Sequence, residues 1–231
     1  MSFENLKELV WRANKELVAS GLVVLTWGNA SGVDRNRGVF VIKPSGVDYT
    51  SMTPEDMTVV RIETGETVEG ELKPSSDAPT HRVLYRHFPT IGGIVHTHST
   101  CATAWAQACR EIPCYGTTHA DHFYGPVPLT RQLTIDEIEA GYEENSGTII
   151  VERFAREGLN PEHVPGVLLP HHGPFTWGKD APEAVKNAVA LEAVARMAMD
   201  TESVNPEAGP TPLAQLNKHF MRKHGPDAYY G

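Results

Sequence analysis

Hydrophobic positions along this chain recur with two different periods. Over residues 5–20 the apolar side chains Leu6, Leu9, Val10, Ala13, Leu17 and Val18 return every three or four positions, which predicts an amphipathic helix stopped by Gly21. A longer helix, rich in Ala and Glu, is predicted over 181–199, and shorter ones over 79–87, 100–108 behind Ser99, 134–144 and the first part of 213–231. Short β-branched runs predict strands at 23–26, 38–42, 58–62, 91–95, 148–151 and 167–169, with Phe175 to Trp177 extended as far as Gly178. Thr53-Pro54-Glu55-Asp56 combines a Thr cap, a Pro in the first turn and two acids, so one helical turn should lead into the strand at 58–62. Trp27-Gly28-Asn29 and Thr64-Gly65-Glu66 read as turns, and 205–212 as the linker-like stretch.

Helix and strand alternate without the regular rhythm of a doubly wound sheet, and many spacers have hairpin length. The expected architecture is therefore an α/β fold of the α+β type around a mostly antiparallel sheet. No Gly-x-Gly-x-x-Gly follows a strand and no Walker loop is present, so nucleotide binding has no support.

The 231 residues, 40% hydrophobic and 21% charged, suit one domain over 1–231 with a sizeable core. A net charge of -9 with no block of Lys or Arg argues against a nucleic-acid or anionic-membrane face, so any anion must be met in a local pocket. No apolar run approaches the roughly 20 residues of a membrane span, and Met1 to Lys7 lacks signal-peptide character, which together point to the cytoplasm. Cys101, Cys109 and Cys114 match neither a disulfide framework nor a zinc motif and read as reduced, structural thiols.

The chemistry concentrates where strands end. His96 and His98 follow the apolar run at 91–95, and residues two apart on a strand share a face, so both rings project together as half of a metal site. A third imidazole follows the apolar stretch at 167–169, either His172 or His171, since successive strand side chains point opposite ways. Asp77 has the chemistry of a ligand, of a group ordering a metal-bound water, or of a helix cap. Lys43-Pro44-Ser45-Gly46 and Lys73-Pro74-Ser75-Ser76 each offer hydroxyls, backbone N–H groups and an ammonium, the equipment for a phosphate or simply for two turns; Asn29 adds an amide donor. The stretch 116–125 is too polar for a core segment and reads as a functional loop. Asp121, Glu143 and Tyr230 have the side chains of acids and bases, although residue type alone does not select them from 29 acids and seven tyrosines.

Taken together, His96-Thr97-His98, His172-Gly173-Pro174-Phe175, the segment from Lys43 to Tyr49, Lys73-Pro74-Ser75-Ser76-Asp77, Asn217-Lys218-His219 and the ending Tyr229-Tyr230-Gly231 resemble the class II aldolase/epimerase family, along essentially the whole chain. The resemblance implies a three-layer α/β/α domain with a mostly antiparallel sheet, assembled as a C4 homotetramer with active sites between subunits. It implies one divalent ion per subunit, usually Zn2+ with Mn2+ or Co2+ possible, on His96, His98 and His172, with Asp77 beside it. It favours His172 over His171. It also implies that Asp121, from a neighbouring subunit, and Tyr230 are the acid/base pair, that Asn29, Lys43, Ser45, Gly46, Ser75 and Ser76 bind a phosphorylated ketopentose, and that Thr117, Glu143, His219 and Arg222 complete the site. Asp at position 77 and the Tyr230 ending resemble the epimerase branch, in which the C3–C4 bond of L-ribulose 5-phosphate breaks and re-forms to give D-xylulose 5-phosphate, a step of L-arabinose or related pentose use. Aldolase or dehydratase chemistry on a related sugar phosphate, and a metal-free interaction module of the same fold, are the competing expectations.

Overall fold

A computed structural model describes residues 3–230, so Met1 of the N-terminal stretch and Gly231 of the Tyr-Tyr-Gly ending lie outside the described residues. Seven strands, β1 (Gly28–Asp34), β2 (Val39–Ile42), β3 (Thr58–Arg61), β4 (Thr67–Glu69), β5 (Gly93–Thr97), β6 (Gly166–Leu168) and β7 (Pro174–Gly178), form one sheet in the order β4-β3-β2-β1-β5-β7-β6. Every neighbouring pair is antiparallel, as the hairpin-length spacers predict. The helices are α1 (Glu4–Ala19), α2 (Ala78–His87), α3 (Thr100–Gln107), α4 (Thr117–Ala120), α5 (Ile135–Glu157), α6 (Ala181–Val204) and α7 (Leu213–His224).

Strand alternation sends one set of side chains to each layer. Val39 and Val41 pack with Val10, Ala13 and Leu17 of α1 and with Ala181, Ala184 and Val185 of α6. Phe40 and Ile42 face the other way, onto Leu84, Tyr85 and Phe88 of α2 and Ile149, Ile150 and Phe154 of α5. The result is the expected α/β/α sandwich. A further cluster packs α3, through Ala102 and Trp105, on Leu191, Val194 and Ala195 of α6. The Thr53 capping box forms with Asp56, and Ser99 occupies the N-cap of α3, whose first amides are met instead by the Glu192 carboxylate, at 2.7 Å for Cys101 and 2.9 Å for Ala102.

Three sequence expectations change. Residues 23–26 are not a strand: Val23 leans on the α1 core while Val24 and Leu25 lie exposed, and β1 begins instead at Gly28, inside the expected turn. Gly28 has φ +139, and a Cβ there would meet the His96 carbonyl at 3.0 Å, so the missing side chain lets β1 lie against β5. Residues 148–151 are the middle of α5, because a short run with three apolar residues, Ile149, Ile150 and Val151, fits a buried helix as well as a strand. Gly147 marks the crossing of α5 over α2, where a Cβ would stand 2.7 Å from that of Val83. Strand β4 has no sequence signal, since its three residues are all exposed and carry no buried alternation.

Candidate metal centre

Register builds the centre. In β5, His96 stands opposite Asn29 of β1 on one side and Phe175 of β7 on the other. Its buried ring stacks on Phe175, with centroids 4.2 Å apart and planes at 19°, and its Nδ1–H donates to the Pro174 carbonyl at 2.9 Å. That bond fixes the tautomer and turns Nε2 outward, where it lies 3.1 Å from Nε2 of His98, just beyond the end of the strand. His172, in the turn between β6 and β7, brings its ring centroid to 4.7 Å from that of His96 and 5.1 Å from that of His98. One ring nitrogen from each of the three lies within 4.8 Å of the others. His171 turns away on a backbone with φ +59, and its Nε2 lies 3.4 Å from Cys109 Sγ.

Electrostatics favour three neutral rings. Burial, with repulsion from the neighbouring imidazole, pushes His96 and His172 down to about 3, and burial lowers His98 too, against the opposing pull of Asp77. Neutral, converging imidazoles are the donor set a zinc-type ion takes, and three of them leave a coordination position open.

The same residues wall a cavity of about 410 Å³ that also holds Asp77, Asn29, Lys43, Ser45, Gly46, Ser75, Ser76 and Glu143. Asp77 sits at the N-cap of α2 without making a side-chain cap bond; its Oδ2 accepts from Asn29 Nδ2 at 2.7 Å instead. Asn29 Nδ2 also reaches Ser75 Oγ at 3.1 Å, while its Oδ1 is buried with no partner, leaving an acceptor for a ligand. The two Lys-Pro-Ser turns meet each other across a bridge between Pro44 and Pro74. Lys43 is buried, its ammonium 4.7 Å from the centroid of the Tyr49 ring and 3.1 Å from the Pro44 carbonyl. Burial lowers its pKa against the pull of Asp48, the condition of a cation short of a close counter-ion.

The remaining predicted residues form a second group that does not line this cavity. Asp121, at the end of α4, accepts from Arg222 Nη2 at 2.8 Å and from His219 Nδ1 at 3.2 Å. Burial works against its charge, but the bonds from Arg222 and His219 outweigh it and hold the carboxyl below the usual range. The Arg222 guanidinium lies 4.1 Å from the centroid of the Tyr230 ring, and the amides of Tyr229 and Tyr230 both donate to the Arg222 carbonyl, so the backbone of this end is tied to α7 while both tyrosines remain more than half exposed. Thr117 opens α4 in the same region.

Sequence reading missed the tyrosine and the tryptophan of the cavity wall. Helix α5 leaves helical geometry at Gly141 and resumes with Tyr142, whose hydroxyl lies 3.2 Å from His172 Nδ1; a glycine within a helical pattern was the available signal. Trp27, half-exposed in a polar turn, stands 6.5 Å from His98 between ring centroids. A larger apolar cleft of about 580 Å³, between α6 and the stretch from Pro113 to His119, includes none of the predicted site residues.

The chain is thus an antiparallel α/β/α sandwich that carries three converging histidines at its strand ends beside a polar, serine-rich cavity. The chain belongs to the class II aldolase and adducin N-terminal domain family, whose model matches residues 8–199. It is 53% identical, over 228 residues and 99% of both chains, to L-ribulose-5-phosphate 4-epimerase UlaF of Salmonella paratyphi B. Among solved structures, an L-fuculose 1-phosphate aldolase superposes with a TM-score of 0.78 at 24% identity, covering 95% of this chain and 96% of that one. The L-fuculose-1-phosphate aldolase of Thermus thermophilus gives 0.65 at 24% identity, over 90% and 98%. These two establish the fold alone.

Proposed function

We propose that this protein is a metal-dependent L-ribulose-5-phosphate 4-epimerase, interconverting L-ribulose 5-phosphate and D-xylulose 5-phosphate by breaking and re-forming the C3–C4 bond. The observation that carries this reading is the sharing of one cavity by three converging imidazoles and the serines of the paired Lys-Pro-Ser turns. The 53% identity to an epimerase over nearly the whole chain supports the choice of substrate.

His96, His98 and His172, with Asp77 at their margin, would hold a divalent ion, Zn2+ by donor type, although Mn2+ and Co2+ accept the same set. When bound, such an ion polarises the adjacent carbonyl and hydroxyl oxygens and stabilises the enediolate left by carbon–carbon cleavage. The rest falls to the chain. Lys43, Ser45, Gly46, Ser75 and Ser76 grip the phosphate, and Asn29 offers its free carbonyl oxygen to a substrate hydroxyl. Glu143 lines the wall nearby. Asp121 and Tyr230 serve as the acid/base pair: one takes the proton of the C4 hydroxyl as the C3–C4 electron pair moves to the enediolate. After the aldehyde rotates, the other protonates the alkoxide formed by attack on its opposite face. His219 and Arg222 keep Asp121 ionised, and Thr117 borders the pair. Because Asp121 and Tyr230 are not in the wall of their own chain's cavity, we assign them to a neighbour's cavity in a C4 homotetramer, with 1–231 as one domain whose tail completes the site. Among the described residues no helix is long and apolar enough to cross a membrane.

Incubation with L-ribulose 5-phosphate should yield D-xylulose 5-phosphate, with turnover lost to a chelator and restored by Zn2+. Accumulation of two fragments without epimer would favour the aldolase alternative. A metal-free interaction module has no use for the His96–His98–His172 cluster, and stoichiometric metal analysis tests that reading directly.

A further inference from the structure

We infer that Tyr142 is a positioning residue for the metal centre: its hydroxyl fixes which nitrogen of His172 is presented to the ion and so sets how tightly the ion is held. This rests on the metal-centre reading above. An imidazole coordinates through an unprotonated nitrogen, so its other nitrogen keeps a proton and needs an acceptor. For His96 that acceptor is the Pro174 carbonyl, which can only accept, and the tautomer is forced. For His172 the ring partner is the Tyr142 hydroxyl, 3.2 Å from Nδ1. When that hydroxyl accepts from Nδ1–H, Nε2 is left as the bare nitrogen, and the phenolic hydrogen is free to turn into the cavity that Tyr142 also lines. A hydroxyl can equally donate, and in that orientation Nδ1 is the bare nitrogen and Nε2 carries the proton. His172 therefore depends on Tyr142 in a way that His96 depends on no side chain.

The placement of Tyr142 serves this contact. Tyr142 is no core residue, since 37% of its surface is exposed. It stands where α5 restarts after the non-helical Gly141, and its ring lies 5.8 Å from that of His172, tilted by 45°. No packing demand explains a tyrosine there, whereas phenylalanine would keep the ring contact and lose the hydrogen bond.

Tyr142→Phe isolates the hydroxyl. The metal-loaded variant, competed against a graded chelator with bound metal as the readout, should release its ion about 10- to 100-fold more readily than the wild type, the usual effect of removing the partner of a ligating histidine. Its activity deficit should be widest at limiting metal and narrow as metal is raised. Wild-type metal affinity in Tyr142→Phe overturns the inference, as does a deficit indifferent to metal concentration, which would put the hydroxyl on the substrate. His98→Ala separates the two levels of argument. If His98→Ala loses the metal and Tyr142→Phe does not, only the role of Tyr142 falls; if His98→Ala binds metal like the wild type, the metal centre itself fails and takes this inference with it.

Discussion

Pro44 and Pro74 face each other in an isolated antiparallel bridge, and the bonds that flank it are reciprocal: the Ser45 amide donates to the Lys73 carbonyl and the Ser75 amide to the Lys43 carbonyl, each at 2.9 Å. Proline has no N–H to give, so the serine that follows each one closes the clasp. Two copies of a motif that are separate in sequence thus become the two sides of one rim, and both serines line the same cavity. The buried Lys43 ammonium beside this rim makes no ion pair among the described residues, which is unfavourable for folding unless an anion arrives.

Lys43→Met should therefore separate function from stability. Loss of one charge-assisted contact costs about 1.5–3 kcal/mol, roughly a 10- to 150-fold rise in KM for the phosphorylated substrate. Urea unfolding of the ligand-free variant should give a stability equal to or above that of the wild type, because an uncompensated buried charge has been removed. A fall in kcat at unchanged KM would show that Lys43 acts on the reacting carbons instead.

Gly93 lets β5, the strand of His96, lie against the start of α6. A Cβ at this position would stand 2.3 Å from the Ala181 amide nitrogen and 2.4 Å from the Asp180 carbonyl carbon and oxygen, all backbone atoms at the start of α6. Gly93→Ala must push β5 off α6, and with it His96. We expect a loss of about 3 kcal/mol in urea unfolding, at the upper end for overpacking, accompanied by weaker metal binding. A variant as stable as the wild type would show that α6 yields there at little cost.

How much of this was legible in the sequence follows from what each signal depended on. Val39 to Ile42 was legible as a strand because it is a short run that is apolar throughout and buried on both faces, and α1 was legible by the period of its buried stripe. His96 and His98 were legible as a pair because residues two apart on a strand share a face. His172 was not separable from His171 by local pattern, since the choice is made by a turn that places His171 at positive φ. Gly141 marked a possible break and the repeated Lys-Pro-Ser marked two like turns, but that the break brings Tyr142 to His172, and that Pro44 and Pro74 pair, are tertiary facts that neither stretch shows alone. The apolar run at 148–151 misled because burial on α2 was its only message, and burial does not distinguish helix from strand.

Acid should weaken the fold well above the carboxylate range. His81 is fully buried and His119 nearly so; burial pulls His81 from the ordinary 6.5 to about 3 and His119 to about 4, the latter against the Gly125 carbonyl it bonds. Below pH 6.5 the unfolded chain takes up protons that the folded chain refuses, so this contribution to stability is complete above 6.5. It is lost as pH falls toward 4 for His119 and toward 3 for His81, at up to about 1.4 kcal/mol per pH unit for each ring. Urea midpoints followed from pH 7 to 5 should fall accordingly, and His119→Gln should flatten the slope by one proton; an unchanged slope would mean that His119 titrates normally.

The separation of Asp121 and Tyr230 from the cavity of their own chain makes a test by mixing possible. On the proposed assignment, His98→Ala removes a metal ligand, while Tyr230→Phe removes an acid/base group and should cost at least about 100-fold in kcat. If each cavity is completed by the next subunit, a hybrid oligomer juxtaposes the intact cavity of one variant with the intact tail of the other. For random assembly of co-expressed chains, half of the cavities keep His98 and half of their neighbours keep Tyr230, so about one quarter of wild-type activity should return. The two variants purified apart, and mixed without subunit exchange, should remain inactive. Were Tyr230 to serve its own chain, every subunit would carry one lesion or the other, and no hybrid would recover activity at all.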